Sequence, residues 1–278
     1  MSGEAHFVEM SEKEFLDEAL NIIKEAQSRG ISLRLLGALA VHTHSLEKPE
    51  YQNALMSLPR FGGEKPRFTD LDLIGYKKQR QQSMKLLEEL SFKPDHMLNA
   101  IFAGNRLLYY HPQGKYHVDV FFDKLEFSHS VFFGEKPGSG RLELDYPTIT
   151  LADIALEKLQ IHFINRKDVV DLLILITLHD VQAQAGKDEI DGTYIASTLS
   201  NDWGFWYDAT TNLEKVKELA TNLGQSGKLP DELANAAAER IGKLRKIIDE
   251  TPKTKNWDKR AKVGTTKPWY REIDEVVR

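Results

Sequence analysis

The sequence predicts an α+β fold, in which a mixed sheet with helices is followed by a C-terminal helical domain. Residues 67–75 and 116–122 alternate polar and apolar side chains with a period of two, as half-buried strands do. After Pro147 the apolar residues recur at helical spacing instead. We expect an α/β domain, a helical domain and a basic tail, over residues 1–147, 148–250 and 251–278.

Composition limits the classes of protein to which this chain can belong. Its 278 residues are 41% hydrophobic and 28% charged, which is enough for a buried core, and the net charge of −5 gives no global attraction to nucleic acid. The absence of cysteine excludes disulfides and thiol nucleophiles. No signal peptide precedes the first helix and no apolar run is long enough to span a membrane, so we expect a cytoplasmic protein.

The first elements place a tight turn before a helix. Ser11 and Glu14 form a capping-box pattern for a helix that should end at Gly30. A short buried strand over 32–36 then meets Gly37-Ala38 and a short helix. A strand, a glycine turn and a helix N-terminus form a plausible seat for phosphate, because the first N–H groups of a helix have no partner within it.

Three aspartates provide the strongest chemical signal. Asp70 and Asp72 share one face of the first alternating strand, and Asp119 has the same position on the second strand. Aspartate is disfavoured in strands, and two like charges on one face repel each other. If the strands are neighbours, three carboxylates meet at one place, and such hard oxygen ligands suit Mg²⁺ or Mn²⁺. The alternative to a metal site is that the three aspartates are ordinary strand residues that face solvent.

The other predicted elements complete the chain. Residues 46–66 are expected to be an insertion or loop, and a hairpin is expected to turn at Ala103-Gly104-Asn105. The aromatic cluster over 203–207 is expected to be core rather than a platform for nucleic-acid bases. The hairpin strands are expected at 97–102 and 106–110, and the helices at 79–90, 151–159, 166–183, 189–199, 209–222 and 230–250.

Two charged residues lie on apolar helical faces of the second domain. Lys158 shares a stripe with Leu151 and Ile154, so it should reach a phosphate or an acidic partner, or extend past the edge of the core. Asp171 lies on a helix that is apolar nearly all round and needs a cationic partner, with Lys158 or Arg166 as the natural choice.

These residues resemble the nucleotidyltransferase superfamily, the DNA polymerase β-like group. The glycine turn, Asp70-Leu71-Asp72 and Asp119 match its pattern in order, and residues 156–159 and 166–172 look like the lysine and Arg-x-Asp-x-x-Asp segments of AbiEii-type toxin nucleotidyltransferases. Two departures are visible. Ala38 stands where the family has Ser or Gly, and the spacing from Gly37 to Asp70 is longer than usual.

The resemblance implies transfer of a nucleoside monophosphate from a nucleoside triphosphate to a hydroxyl of RNA, protein or a small molecule. It implies that Asp70, Asp72 and Asp119 are the metal ligands and catalytic residues. The nucleotide-binding residues that it implies are Gly37, Ala38, Thr69, Lys158 and Asp171. Two alternatives stay open: an inactive relative that binds a nucleotide or a partner protein, and a metal-dependent phosphohydrolase.

Overall fold

The structure is a computed structural model that describes residues 10–58, 60, 68–102 and 104–272. Packing divides the described residues into two compact units that are discontinuous in sequence: the first falls within 1–40, 65–124 and 132–149, and the second within 41–64, 125–131 and 150–278. The predicted domain limits remain predictions. Expectations for the N-terminal leader, for most of 59–67, for Ala103 and for residues 273–278 lie outside the described residues.

The first unit contains a five-stranded mixed sheet, which confirms the sheet of the predicted α+β fold. Its strand order is β1-β2-β5-β4-β3, and β2 and β5 are parallel whereas the other neighbours are antiparallel. The strands are β1 (Leu33–Leu35), β2 (Asp70–Gly75), β3 (Lys93–Pro94), β4 (Arg106–Tyr110) and β5 (His117–Phe122).

Four helices alternate with these strands along the chain, and the first three follow the order that the sequence predicts. They are α1 (Glu12–Ser28), α2 (Gly37–Ser45), α3 (Arg80–Glu89, after a 3₁₀ turn over Lys77–Gln79) and α4 (His96–Ile101). The predicted capping box of α1 is confirmed, since the Glu14 N–H donates to Ser11 Oγ and the Ser11 N–H donates to Glu14 Oε2. The buried face of α1 includes Phe15, Ile22 and Ile23.

The predicted hairpin at 97–102 is wrong. Asp95 accepts a hydrogen bond from the Leu98 N–H at 2.9 Å and begins helix α4 in its place. Met97 and Ile101 are exposed on this helix, so their apolar character reflects no buried strand. The described part of the predicted loop over 46–66 also differs, since Tyr51–Leu55 forms a π-helical turn that buries Tyr51 and Leu55.

The second unit is mainly helical, which confirms the C-terminal helices of the prediction. Its aromatic cluster lies in the first turns of α8, where Trp203 and Phe205 are buried, as expected for core. The helices are α5 (Leu151–Leu159), α6 (Arg166–Leu178), α7 (Gly192–Leu199), α8 (Trp203–Gln225), α9 (Asp231–Glu250) and α10 (Lys255–Ala261). The short strands in or bordering this unit are β6 (Lys124–Glu126), β7 (Ser130–Phe132), β8 (Val181–Gln182) and β9 (Ile190–Asp191). No helix in the described residues is long and apolar enough to cross a membrane.

The described part of the predicted tail is held by specific contacts. The Trp257 ring meets the Trp206 ring edge-on with centroids 5.2 Å apart, and the Arg260 guanidinium lies 5.0 Å from the centroid of Trp203. The backbone N–H of Arg271 donates to the Ser128 carbonyl at 3.0 Å. A solvated terminus would lack such contacts, so residues 251–272 form part of the second unit.

A buried carboxylate in α8 connects this C-terminal segment to the unit. Asp208 accepts hydrogen bonds from His129 Nε2 at 2.8 Å, from His162 Nδ1 at 2.9 Å and from Trp269 Nε1 at 3.0 Å. Burial alone would raise the pKa of Asp208, but these three hydrogen bonds outweigh burial and hold the pKa below its usual range.

Replacing Asp208 should therefore destabilise the protein. Asp208→Ala leaves three donors without their acceptor, and we expect a loss of about 3 kcal/mol in the free energy of unfolding, measured by urea denaturation. Glu218→Ala is the matched control, because Glu218 is an exposed carboxylate on the same helix. Equal stability of the two variants would contradict the assigned role.

Candidate active site

The predicted strands are neighbours, and their register sets the geometry of the site. β2 and β5 pair in parallel with Asp72 opposite Asp119 and Asp70 opposite His117. Directly paired residues of adjacent strands project on the same face, and so do residues two apart on one strand. The three aspartates therefore lie on one face of the sheet, while Leu71, Leu73, Val118 and Val120 are fully buried on the other.

The three carboxylates differ in their surroundings. The Asp70 side chain is 39% exposed and accepts a hydrogen bond from Thr69 Oγ1 at 3.0 Å. Asp119 is buried, and its Oδ1 accepts from both Nε and a terminal nitrogen of Arg106 at 2.8 Å. Arg106 lies diagonally across the β4–β5 ladder from Asp119, where a long side chain can reach. Asp119 is therefore already charge-balanced.

His117 completes this group. Its Nε2 lies 3.8 Å from Asp70 Oδ2 and 3.7 Å from Asp119 Oδ2, so it stands between the two carboxylates. A protonated imidazole there would reduce the repulsion between them. The sequence analysis missed Arg106 and His117 as site residues. For His117 the signal is the alternation of polar and apolar residues along β5, which it shares with Asp119, whereas Arg106 is identified only by the register of β4 against β5.

The three-carboxylate metal site at Asp70, Asp72 and Asp119 stays a prediction. No group of three or more His, Asp or Glu side chains within the described ranges is arranged to hold a metal ion. The Arg106 guanidinium contacts one oxygen of Asp119. Asp70 and Asp72 still suit Mg²⁺ in their chemistry, because that ion commonly takes one or two carboxylates and fills its other positions with water and substrate phosphates.

The glycine turn lies against the aspartate face. The Leu36 N–H donates to the Asp72 carbonyl at 3.0 Å, and α2 begins at the next residue. Gly37 has a φ of +64°, and a Cβ added to it would lie 3.2 Å from Asp72 Oδ2. Ala38 follows in the first turn of α2. The structure thus brings the N-terminal end of this helix next to Asp72, so closely that a Cβ at position 37 would crowd the Asp72 carboxylate.

Lys158 and Asp171, the other predicted nucleotide-binding residues, meet each other in the second unit. Lys158 Nζ lies 2.7 Å from Asp168 Oδ1, 3.4 Å from Asp171 Oδ2 and 3.9 Å from Glu157 Oε1. Of the two partners expected for Asp171, Lys158 is present. A partner that sequence reasoning missed is Arg60, whose Nε and terminal nitrogen contact Asp171 Oδ1 and Oδ2 at 2.7 and 2.8 Å.

This buried group keeps its charges through mutual attraction. Burial alone would lower the pKa of Lys158, but the carboxylates of Asp168, Asp171 and Glu157 together raise it above the usual range. Burial likewise favours a raised pKa for Asp168, and the attraction of Lys158 outweighs it, so that pKa is lowered. Lys158 is therefore a permanently charged member of an ion-pair network. Of the roles expected for this lysine, the structure contains the one in which it binds acidic partners.

Comparisons with known proteins add little to this geometry. No family model and no curated protein matches the sequence. Among solved structures, the chain is similar to the antibiotic-resistance factor ANT(2'')-Ia, with 15% identity, coverage of 52% of this chain and 69% of that one, and a TM-score of 0.29. It is also similar to an antigenic nucleotidyltransferase-like protein from Paracoccidioides brasiliensis, with 15% identity, coverage of 88% and 96%, and a TM-score of 0.36.

Substitution at Gly37 should lower the free energy of unfolding by more than its positive φ alone explains. Gly37→Ala forces an alanine into positive φ, at about 1–2 kcal/mol, and also crowds the Asp72 carboxylate. Gly30→Ala is the matched control, since Gly30 has a φ of +71° and nothing within 4 Å of the added Cβ. We expect Gly37→Ala to lower the free energy of unfolding further than Gly30→Ala. Equal losses of unfolding free energy in the two variants would show that the close contact with Asp72 does not affect stability.

Removing the charge of Lys158 should destabilise the second unit. Lys158→Met leaves the carboxylates of Asp168, Asp171 and Glu157 without their shared cation, and breaking a buried ion pair costs about 3–5 kcal/mol. The measurement is the free energy of unfolding in urea, with exposed Lys228→Met as the control. A Lys158→Met protein as stable as the control would refute the structural role of the network.

Proposed function

We propose that this chain is a metal-dependent nucleotidyltransferase that moves a nucleoside monophosphate from a nucleoside triphosphate to an acceptor hydroxyl. The observation that supports the proposal is the parallel register of β2 and β5, which places Asp70, Asp72 and Asp119 on one face. The start of α2 lies against Asp72 on the same face. Carboxylates next to a helix N-terminus combine ligands for a cation with donors for its phosphates.

In this proposal Asp70 and Asp72 hold Mg²⁺ or Mn²⁺, and the ion supplies charge neutralisation for the triphosphate. The backbone at Gly37 and Ala38 steadies the phosphates through the donors of the first helical turn. Thr69 positions Asp70 through its hydroxyl, in addition to the nucleotide-binding role that the resemblance implies. Each of these roles belongs to groups in the first unit.

The transfer joins the acceptor oxygen to the α-phosphorus, releases pyrophosphate and removes the proton of the acceptor hydroxyl. Asp119 is the proposed acceptor of that proton. This role requires its pair with Arg106 to loosen when substrate binds, because the guanidinium occupies Oδ1 of this carboxylate. Lys158 and Asp171 remain proposed nucleotide-binding residues by resemblance, and the AbiEii-type toxin resemblance and the cytoplasmic location also remain predictions.

A second candidate is a non-catalytic protein of the same fold that binds nucleotide or a partner protein. The Arg106–Asp119 pair favours it, because that pair satisfies the charge of the residue proposed as the base. Calorimetry with ATP or GTP separates the candidates. Binding that requires Mg²⁺ supports the transferase, and binding that ignores the metal supports the second candidate.

The test of the transferase is Asp72→Asn. The change removes a charged metal ligand while keeping the shape of the side chain, and we expect transfer from a labelled nucleoside triphosphate to fall at least about 100-fold, which corresponds to under 3 kcal/mol. The assay supplies each triphosphate with RNA and protein extracts as acceptors.

Asp17→Asn, a change to an exposed α1 carboxylate of the first unit, serves as the control and should keep full activity. Undiminished transfer by Asp72→Asn would falsify the assignment. Triphosphate consumption without a transferred nucleotide would instead indicate the phosphohydrolase that the sequence analysis left open.

A further inference from the structure

A basic groove lies at the start of α3, away from the residues assigned above. It is lined by Lys77, Lys78, Arg80, Gln81 and Gln82 and has a volume of about 550 Å³. The two lysines and both glutamines are exposed, and Arg80 is half-buried. The groove therefore presents three cations and two amide side chains from six consecutive residues.

Little within the described structure balances these cations. Lys77 Nζ donates to the neutral Asn105 Oδ1 at 2.9 Å, and Lys78 has no hydrogen bond or ion pair with any described residue. Asp123 offsets part of the charge, since its Oδ1 accepts the backbone N–H of Lys77 at 2.8 Å. The groove keeps a net positive charge in a protein whose net charge is −5.

Arg80 provides an independent observation. Its Nε is buried and has no hydrogen-bond partner, and the guanidinium makes no ion pair with any described residue. The side chain lies beside the turn at Gly104, where an added Cβ would be 3.6 Å from Nε. The part of the guanidinium that is not buried can donate to an anionic ligand, as arginine does to phosphate oxygens.

We propose that the basic groove binds the phosphodiester backbone of a nucleic acid. Arginine and lysine contact phosphate oxygens, and glutamine amides add donors and acceptors for phosphate and sugar. Three cations along a groove of this size exceed what a single phosphate needs, and this favours a polymer with repeated charges. The proposal does not depend on the transfer reaction, since it uses no residue of the aspartate face.

Salt-dependent binding tests the proposal. The full chain is titrated with fluorescent single-stranded RNA and DNA of about 20 nucleotides, over roughly 50 to 200 mM NaCl. We expect Lys77→Gln combined with Lys78→Gln to weaken binding at least about tenfold at the lowest salt. The slope of log K against log salt should fall in magnitude by about 1.4, because each lost phosphate contact on a single strand contributes about 0.7. Arg80→Gln should weaken binding in the same direction.

The matched control combines Lys217→Gln with Lys228→Gln, two exposed lysines of the second unit. It should bind as the unmodified chain does. Asp72→Asn should also bind normally, so a failure of transfer and a failure of this proposal give different results. Circular dichroism and the thermal midpoint verify that the groove variants are folded.

Three results would overturn the proposal. The first is no binding of either oligonucleotide, and the second is equal binding by the groove variants and the control. The third is binding of inorganic phosphate or polyglutamate as tight as that of the oligonucleotides, because it would assign the groove to a small anion or an acidic protein. Preference between RNA and DNA identifies the polymer, and either one supports the proposal.

Discussion

The parallel pairing of β2 with β5 is the constraint on which the first unit depends. Leu71, Leu73, Val118 and Val120 are fully buried on one face of this pair. Because side chains alternate along a strand, burying those four residues fixes Asp70, Asp72 and Asp119 on the other face. A slip of one residue would turn the aspartates toward this core and the apolar residues away from it, so the core and the candidate site depend on one register.

Buried acidic residues in both units are neutralised by cationic side chains. Asp119 is neutralised by Arg106 within the sheet, and Asp171 by Arg60 and Lys158 within the helical unit. Asp119 and Asp171 therefore each have a cationic partner, as the cost of an unpaired buried charge requires. Asp70 is the exception, since its side chain is partly exposed and water can solvate it. This exposure is consistent with the cation-binding role proposed for Asp70 and its neighbour Asp72.

Strand β2 also relates the candidate site to the basic groove. The strand runs from Asp70 to Gly75, and the groove begins at Lys77. Five residues of strand span about 16 Å, so the acidic and basic features lie toward opposite ends of one rigid element. A polyanion bound at the groove would keep its charge away from the carboxylates, and this separation limits the repulsion between them.

The sequence by itself determined the period-two strands around Asp70 and Asp119, the capping box of α1, the order of the helices and the burial of the aromatic cluster. These features follow from local periodicity and short-range hydrogen bonds. Only the tertiary structure decided that Arg106 pairs with Asp119, that Arg60 pairs with Asp171 and that residues 96–101 form a helix. The two ion pairs depend on strand register and on distant loops, and helix α4 depends on a single cap that competes with strand-like apolar residues.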